Sequence, residues 1–308
     1  MKTQKNILIV TKQSKVEYEA DKFGLTIHQL KEKYSSEGAN LPAILASHEG
    51  QLRSRAQLRD LLPEATIISM DKLADRVTDY DIVVSFGGDN SFTYVSHFIE
   101  DTLMYGVNSD PGRSVGAMCL FSSADLEALV QSLQGGDPKV EYWPRLSATI
   151  DGVPIIRATS EYFFGETARK DMSRHVMEFR GNHPDHQSHP LNGRRIEQKH
   201  SGLIISTGAG STGWHESSKT CPHEPGEKYR FDRTSPLARF IITEPYKRSR
   251  HEFEYYGELF PGDELVVHSL NDGAGITHAD SWAPFYDFSR GKTAVIRISA
   301  TPLRVGVP

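Results

Sequence analysis

The chain reads as two domains in tandem, an α/β domain with a parallel sheet followed by a β-rich, sandwich-like domain. Three observations predict this. Short β-branched runs alternate with helix-period segments up to about residue 140, the pattern of a parallel sheet with crossover helices. Beyond that point strand-like runs recur with few helical segments between them. The 308 residues suffice for two domains with a sizeable core. The expected division is residues 1–140 and 141–308.

In the first part, Asn6 to Thr11 predicts a strand around Ile7-Leu8-Ile9-Val10. Residues 15–34 predict a helix with Tyr18, Phe23, Leu25, Ile27 and Leu30 as apolar positions and Gly24 as a candidate break. Residues 47–62 predict a second helix, with Ser47 as its candidate cap and Leu52, Leu58, Leu61 and Leu62 apolar. Ala65 to Ile68, residues 81–86 and Leu103 to Asn108 predict further strands. Ser122 to Leu133 predicts a capped helix stopped by Gly135-Gly136-Asp137-Pro138.

In the second part, residues 139–164 predict two long strands joined by Asp151-Gly152, a hairpin pair. Further strands are expected at 175–180, 202–207, 238–243, 264–269 and 294–299. After the last of these the chain is expected to end with no helix returning to the first domain. Residues 181–195 and 215–236 are polar, proline-bearing loops, expected near a site. No internal repeat is found.

Composition narrows the function. Hydrophobic residues make up 38% and charged residues 24%, as in a soluble globular chain. The formal net charge of −5 and the lack of a long basic run argue against a nucleic-acid partner. No apolar run approaches the roughly 20 residues that span a bilayer, so no membrane partner is expected. The start runs directly into Ile7-Leu8-Ile9-Val10, too short for a signal-peptide core. Cys119 and Cys221 alone make no disulfide framework, and a cytoplasmic location is expected.

The first chemical motif is Ile82-Val83-Val84-Ser85-Phe86-Gly87-Gly88-Asp89-Asn90-Ser91. A buried strand runs into two glycines, a carboxylate and a helix with apolar residues at 92, 95, 98 and 99. Glycines let a backbone approach an anion, and the first free N–H groups of a helix point at it. A carboxylate there repels phosphate unless it takes a proton from an attacking hydroxyl or helps hold Mg²⁺. The competing reading makes Asp89 a helix cap.

The second motif follows the strand Ser201 to Thr207 and reads Gly208-Ala209-Gly210-Ser211-Thr212-Gly213-Trp214. Its glycines match G-x-G-x-x-G. A dinucleotide-binding βαβ unit would need a helix next, however, and residues 215–232 carry Pro222, Pro225 and Gly226. Backbone N–H groups and the Ser211 and Thr212 hydroxyls suit phosphate or ribose, and Trp214 suits a flat ring. A plain turn is the alternative. No Gly-x-x-x-x-Gly-Lys-Ser/Thr occurs, which excludes a P-loop kinase.

Other clusters point less clearly to a site. His183, His186 and His189 lie every third residue without a cysteine or acid at ligand spacing, so a solvated loop is expected and no metal site. Trp143 and Trp282 are read as packing residues. Asp263-Glu264 is read as a turn entering a strand, Arg169-Lys170 and Arg194-Arg195 as loop charges, and Cys119 as buried and inert.

The two motifs, in this order and separation, resemble the NAD kinase family, whose Gly-Gly-Asp-Gly loop lies in an α/β domain and whose Gly-Ser-Thr loop lies in a later β-rich domain. Gly106 to Ser114 and Trp214 resemble the mitochondrial-type branch. Ala158-Thr159-Ser160-Glu161 falls where the family has an Asn-Glu pair, and residues 239–246 and 275–286, with Asp280, resemble the closing strands. The resemblance is clearest over residues 82–300.

It implies transfer of the γ-phosphoryl group of ATP to the 2′-hydroxyl of the adenosine ribose of NAD, with Mg²⁺ riding on ATP. It also implies Asp89 as base and Gly87, Gly88 and Asn90 beside the phosphates. Asn108, Ser160, Glu161, Thr207, Gly208, Gly210, Ser211, Thr212 and Trp214 are implied to hold the dinucleotide, in a homo-oligomer. The chain departs from the family pattern at Asn90 (glycine), Ser91 (threonine), Ser160 (asparagine), Ser201 (aspartate) and Trp214 (tyrosine). Two alternatives stand beside this reading, a related kinase with a lipid or nucleoside acceptor, and a dinucleotide-binding regulator without transfer activity.

Overall fold

The computed structural model describes residues 5–168, 170–187, 192–218, 230–246 and 256–308. The chain divides into two compact units. The first comprises the residues up to Glu141 together with Arg304–Pro308, and the second comprises Tyr142–Leu303.

The first unit runs β1 (Ile7–Thr11), α1 (Lys15–Phe23), α2 (Ile27–Ser36), α3 (Leu41–Leu61), β2 (Thr66–Ser69), β3 (Ile82–Gly87), α4 (Asp89–Ser96), β4 (Leu103–Asn108), β5 (Phe121–Ser122), α5 (Leu126–Gln134) and β6 (Val140–Trp143). β2, β1, β3 and β4 pair in that order, all parallel. β3 and β4 are buried along their whole length, as expected of strands covered on both faces. Ile9, Val84, Phe86, Tyr105 and Val107 pack with Leu58 and Leu62 from the end of α3 and with Leu126, Leu129 and Leu133 of α5.

Three helix expectations are corrected. Gly24, at φ 63°, ends α1 and donates its N–H to Ala20 O, and a Thr26–Gln29 capping box starts α2, so 15–34 is two helices. α3 starts well before Ser47. Asn40 accepts from Ala43 N and a proline sits in the first turn, a start signal that outweighed the hydroxyl at 47. α5 begins only at Leu126, behind an Asp125 cap, because residues 121–122 pair with β4.

The second unit runs β7 (Leu146–Ile150), β8 (Val153–Pro154), β9 (Glu161–Glu166), β10 (Ser173–Arg180), β11 (Arg195–His200), β12 (Gly202–Thr207), a short α6 (Trp214–Ser217), β13 (Ala238–Thr243), β14 (Tyr256–Leu259), β15 (Glu264–Ser269), β16 (Gly275–Ala279), β17 (Trp282–Asp287) and β18 (Thr293–Ile298). Two six-stranded antiparallel sheets form, β11-β10-β15-β18-β7-β8 and β14-β13-β12-β9-β16-β17. Alternate residues of both sheets make one core. Leu146, Met177, Phe179, Leu265 and Ile296 of the first sheet meet Tyr162, Phe164, Leu203, Ile205 and Phe240 of the second. This is sandwich packing.

The hairpin at Asp151-Gly152 forms with both residues at positive φ, but its return arm, β8, has two residues. Pro154 has no N–H to extend the ladder, and the next strand, β9, belongs to the other sheet. A strand after β18 is not anticipated from the sequence. A last strand, β19 (Leu303–Gly306), joins the first unit's sheet parallel to β4 and is followed there by β6.

The turn reading of Asp263 holds, and the structure adds a buried anchor. Asp263 accepts from Asn182 N, His183 N and Phe260 N and meets His186 Nδ1 at 2.5 Å. Burial opposes its ionisation, but these hydrogen bonds prevail and its carboxyl lies below the usual range. Among the described residues no cluster suits a metal ion. His189, Arg169 and Cys221 lie outside the described residues. Arg195 opens β11 rather than sitting in a loop. Trp143 is fully buried, with the Arg233 guanidinium over its ring.

A pair of buried histidines gives this unit an acid-sensitive core. His175 Nδ1 lies 3.1 Å from His200 Nε2, and Asn271 Nδ2 lies 3.3 Å from His175 Nε2. Burial, then the neighbouring His200, holds His175 well below its ordinary range, and burial takes His200 down to about 3. The unfolded chain binds these protons near pH 6.5 while the folded chain does not. Their full stability is therefore present above that pH and is lost as pH falls. Urea midpoints measured at pH 7.5 and 5.5 should drop, with a slope on the order of 1 kcal/mol per pH unit for each histidine. His200→Gln should flatten that slope, and an unchanged wild-type midpoint would show that the pair is not neutral in the fold.

Candidate active site

β3 delivers Gly87, Gly88 and Asp89 to the carboxyl edge of the parallel sheet, where open α/β folds bind ligands. A Cβ on Gly87 would lie 2.3 Å from Ser91 Oγ, so the turn requires glycine there. Gly88 has an extended backbone and is the residue from which α4 starts. Asp89 is the first residue of α4 and does not cap it. Its carboxylate turns to the neighbouring loop, where Oδ2 accepts from Ala117 N at 3.0 Å and Oδ1 from Met118 N at 2.8 Å. Both oxygens are therefore aimed, and each keeps a lone pair for another proton. Asn90 lies within α4 and is not among the positive-φ residues, so replacing glycine there incurs no backbone strain.

The loop that clamps Asp89 is itself built from polar side chains. Asn108 Oδ1 accepts from Asp110 N at 3.1 Å and its Nδ2 donates to Ser114 O at 2.9 Å. Gly116 sits at φ 60° against the Asn108 amide. Asp110 Oδ2 accepts from Ser47 Oγ of α3 at 2.5 Å. In this structure Asn108 holds its own loop, and the Ser47 hydroxyl expected to cap a helix ties α3 to that loop. Cys119, next to the clamp, is half-buried rather than buried, and burial followed by the Asp89 charge pushes its thiol up to about 12.

In the second unit, β9 and β12 are paired so that Ser206 lies opposite Glu161. Asp280, after β16 and at φ 52°, accepts from three successive N–H groups, Thr159 N at 2.9 Å, Ser160 N at 2.7 Å and Glu161 N at 3.0 Å. Ser160 Oγ donates to Glu161 Oε2. Burial, then the Asp280 charge, pushes the Glu161 carboxyl up to about 7, against the lowering effect of Ser160. Thr207 Oγ1 donates to Thr159 O at 2.6 Å.

The glycine-rich loop packs tightly on this turn. A Cβ on Gly210 would meet Ser160 O at 2.4 Å, and one on Gly208 would meet Asp232 O at 1.9 Å. Ser211 Oγ donates to Gly208 O at 2.7 Å and accepts from Phe231 N at 3.2 Å. Thr212 and Trp214 are exposed, and the indole stacks on Phe163 at 4.9 Å between ring centroids. β12 pairs antiparallel on both sides and leads into a 3-10 turn over 210–212, so the G-x-G-x-x-G match is not a dinucleotide-binding βαβ unit.

Thr207, Gly208, Gly210, Ser211, Ser160 and Glu161 thus form one constellation in the second unit, and Gly87, Gly88, Asp89, Asn90 and Asn108 form another in the first. The anchoring role of Asp280 was not readable from local sequence.

An α/β unit with a parallel sheet, followed in the chain by a unit of antiparallel sheets, is the fold of solved NAD kinases. No protein-family model matches the chain. It is 24% identical over 259 residues to a probable NADH kinase of Oryza sativa subsp. japonica, covering 78% of this chain and 75% of that one. It is 22% identical over 265 residues to the mitochondrial NAD kinase 2 of Xenopus tropicalis, covering 68% of this chain and 62% of the relative. The crystal structure of an NAD kinase from Archaeoglobus fulgidus in complex with ATP superposes with a TM-score of 0.65 at 15% identity, covering 97% of this chain and 93% of that one. The chain is thus similar over most of its length to proteins named NAD and NADH kinases, and it shares the fold of solved NAD kinases.

Proposed function

We propose that this protein is an ATP-dependent NAD kinase, which transfers the γ-phosphoryl group of ATP to the 2′-hydroxyl of the adenosine ribose of NAD to give NADP. The observation that carries this reading is Asp89, a carboxylate aimed by two backbone N–H groups beside a glycine turn and the start of a helix. In the proposed step the ribose oxygen forms a bond to the γ-phosphorus, the bond from that phosphorus to the β-phosphate bridging oxygen breaks, and Asp89 takes the hydroxyl proton. Such a transfer depends mostly on positioning and charge neutralisation. Glu161, with a carboxyl poised near neutrality, has a proton to donate to a ribose oxygen or a lone pair to offer a hydroxyl.

Mg²⁺ enters this reading as part of the MgATP substrate, which suits an ion usually held by one or two carboxylates and substrate phosphates. Asp89 is the carboxylate at the turn that would meet it. A cytoplasmic location and a homo-oligomeric state are proposed alongside. Among the described residues no helix is long and apolar enough to cross a membrane.

The test is an end-point assay with purified protein, Mg²⁺ and ATP, offering NAD and NADH in parallel and detecting phosphorylated dinucleotide with an NADP-specific dehydrogenase. Product in either arm supports the reading and identifies the acceptor's redox form. Absence of product with dinucleotide-dependent thermal stabilisation would replace it with the regulator.

A further inference from the structure

The residue after β1 is a lysine standing beside the glycine turn. Thr11 pairs with Phe86 in the parallel ladder, and Lys12 N donates to Phe86 O at 3.0 Å, which sets Lys12 level with Gly87. A Cβ on Gly87 would lie 3.3 Å from Lys12 Cβ. On the other flank, a Cβ on Gly88 would lie 3.3 Å from Ser114 Oγ. The turn that precedes α4 therefore has the lysine stem on one side and a hydroxyl on the other.

The backbone at Lys12 is fixed on both sides. Ser14 forms a capping box with Glu17 and bonds His48 Nδ1 at 2.7 Å, and Glu17 pairs with Arg55. The neighbouring Gln13 amide goes to Asp21. Lys12 itself is exposed, and its side chain has no hydrogen bond, ion pair or ring contact among the described residues. Lys5, Lys33 and Lys139 of the same unit are each tied to a carbonyl or a carboxylate. Arg113, on the loop that clamps Asp89, donates to Ala43 O. Lys12 is thus a cation with no ion pair among the described residues, placed by its backbone beside the turn from which α4 starts.

We propose that Lys12 binds the triphosphate of the nucleotide donor, placing its ammonium against the β- and γ-phosphate oxygens at the Gly87-Gly88 turn. This rests on reading the Asp89 turn as the phosphoryl-transfer centre. An ammonium is a compact point charge suited to phosphate oxygens. It offsets the charge on the γ-phosphoryl oxygens and on the bridging oxygen that leaves with the β-phosphate.

The test compares wild type, Lys12→Met, which keeps an apolar stem, and Lys12→Arg, which keeps the charge. Calorimetric binding of ATP and of AMP, both with Mg²⁺, needs no turnover and is read together with kcat and KM for each substrate. Lys12→Met should weaken ATP binding at least about tenfold, the loss of one charge-assisted hydrogen bond. It should leave AMP binding and KM for NAD unchanged, and Lys12→Arg should recover part of the ATP affinity. Wild-type ATP affinity in Lys12→Met, or an equal loss for AMP and ATP, would overturn the proposal. A wild type that binds ATP in this Lys12-dependent way but forms no phosphorylated dinucleotide would overturn the kinase reading and leave Lys12 as the phosphate ligand.

Discussion

Asp89→Asn lowers kcat at least about a hundredfold, the usual scale for losing a general base. Each Asp89 oxygen accepts one backbone N–H, from Ala117 and Met118. An asparagine keeps the shape but has one acceptor for those two donors and no capacity to take a proton. Its NH₂ group must face one of the two N–H groups, of which that of Ala117 is exposed, so a stability loss of at most about 1 kcal/mol accompanies the rate loss. The two effects separate by measurement. A steady-state assay gives kcat with both substrates saturating, and thermal unfolding gives the stability change. A hundredfold rate loss corresponds to about 2.7 kcal/mol of barrier, more than the expected stability change. A variant with near-normal kcat would remove Asp89 from the role of base.

Asp280→Ala produces the second large effect, on the second unit. Asp280 is buried and accepts from Thr159 N, Ser160 N and Glu161 N. Removing it takes the acceptor from three buried N–H groups, at a cost of about 3 kcal/mol or more. Asp280→Asn, keeping the oxygen that serves Ser160 and Glu161, loses less. The same substitutions change the acid chemistry of the site. Burial and the Asp280 charge hold the Glu161 carboxyl up at about 7. Without that charge its pKa falls, so any pH dependence of dinucleotide binding near neutrality shifts to lower pH. Urea unfolding and dinucleotide titrations from pH 5.5 to 8 check both parts. Unchanged stability in Asp280→Ala would mean that the three N–H groups find other acceptors.

The two loops were legible because their physics is local. Gly87, Gly88 and Asp89 follow one buried strand and open one helix, so strand pattern, glycine and carboxylate are contiguous in sequence. The same holds for Gly208 to Trp214 after β12. Strict alternation in β10, seen as the burial of Ser173, His175, Met177 and Phe179, likewise announces a half-buried strand. Helix boundaries were less legible. Ser47 has the chemistry of a cap, yet its hydroxyl serves Asp110, 63 residues away.

The remaining functional arrangement depends on contacts that no local pattern encodes. Asp280 organises Thr159 to Glu161 from about 120 residues away, and its carboxylate would look the same in sequence if it faced solvent. Lys12 and Gly87 are 75 positions apart and become neighbours only because β1 and β3 pair in one register. The strand at Leu303–Gly306 completes the first unit's sheet from the far end of the chain. The sequence by itself determined the α/β and β-rich division, the two glycine loops and the carboxylate that follows the first of them, because backbone propensity, side-chain period and turn chemistry act over a few residues. Only the tertiary structure decided which N–H groups that carboxylate and Asp280 accept from, which lysine stands beside the Gly87-Gly88 turn, and which carboxyl is held near neutrality. Hydrogen-bond partners and desolvation are properties of the space around a group rather than of its neighbours in the chain.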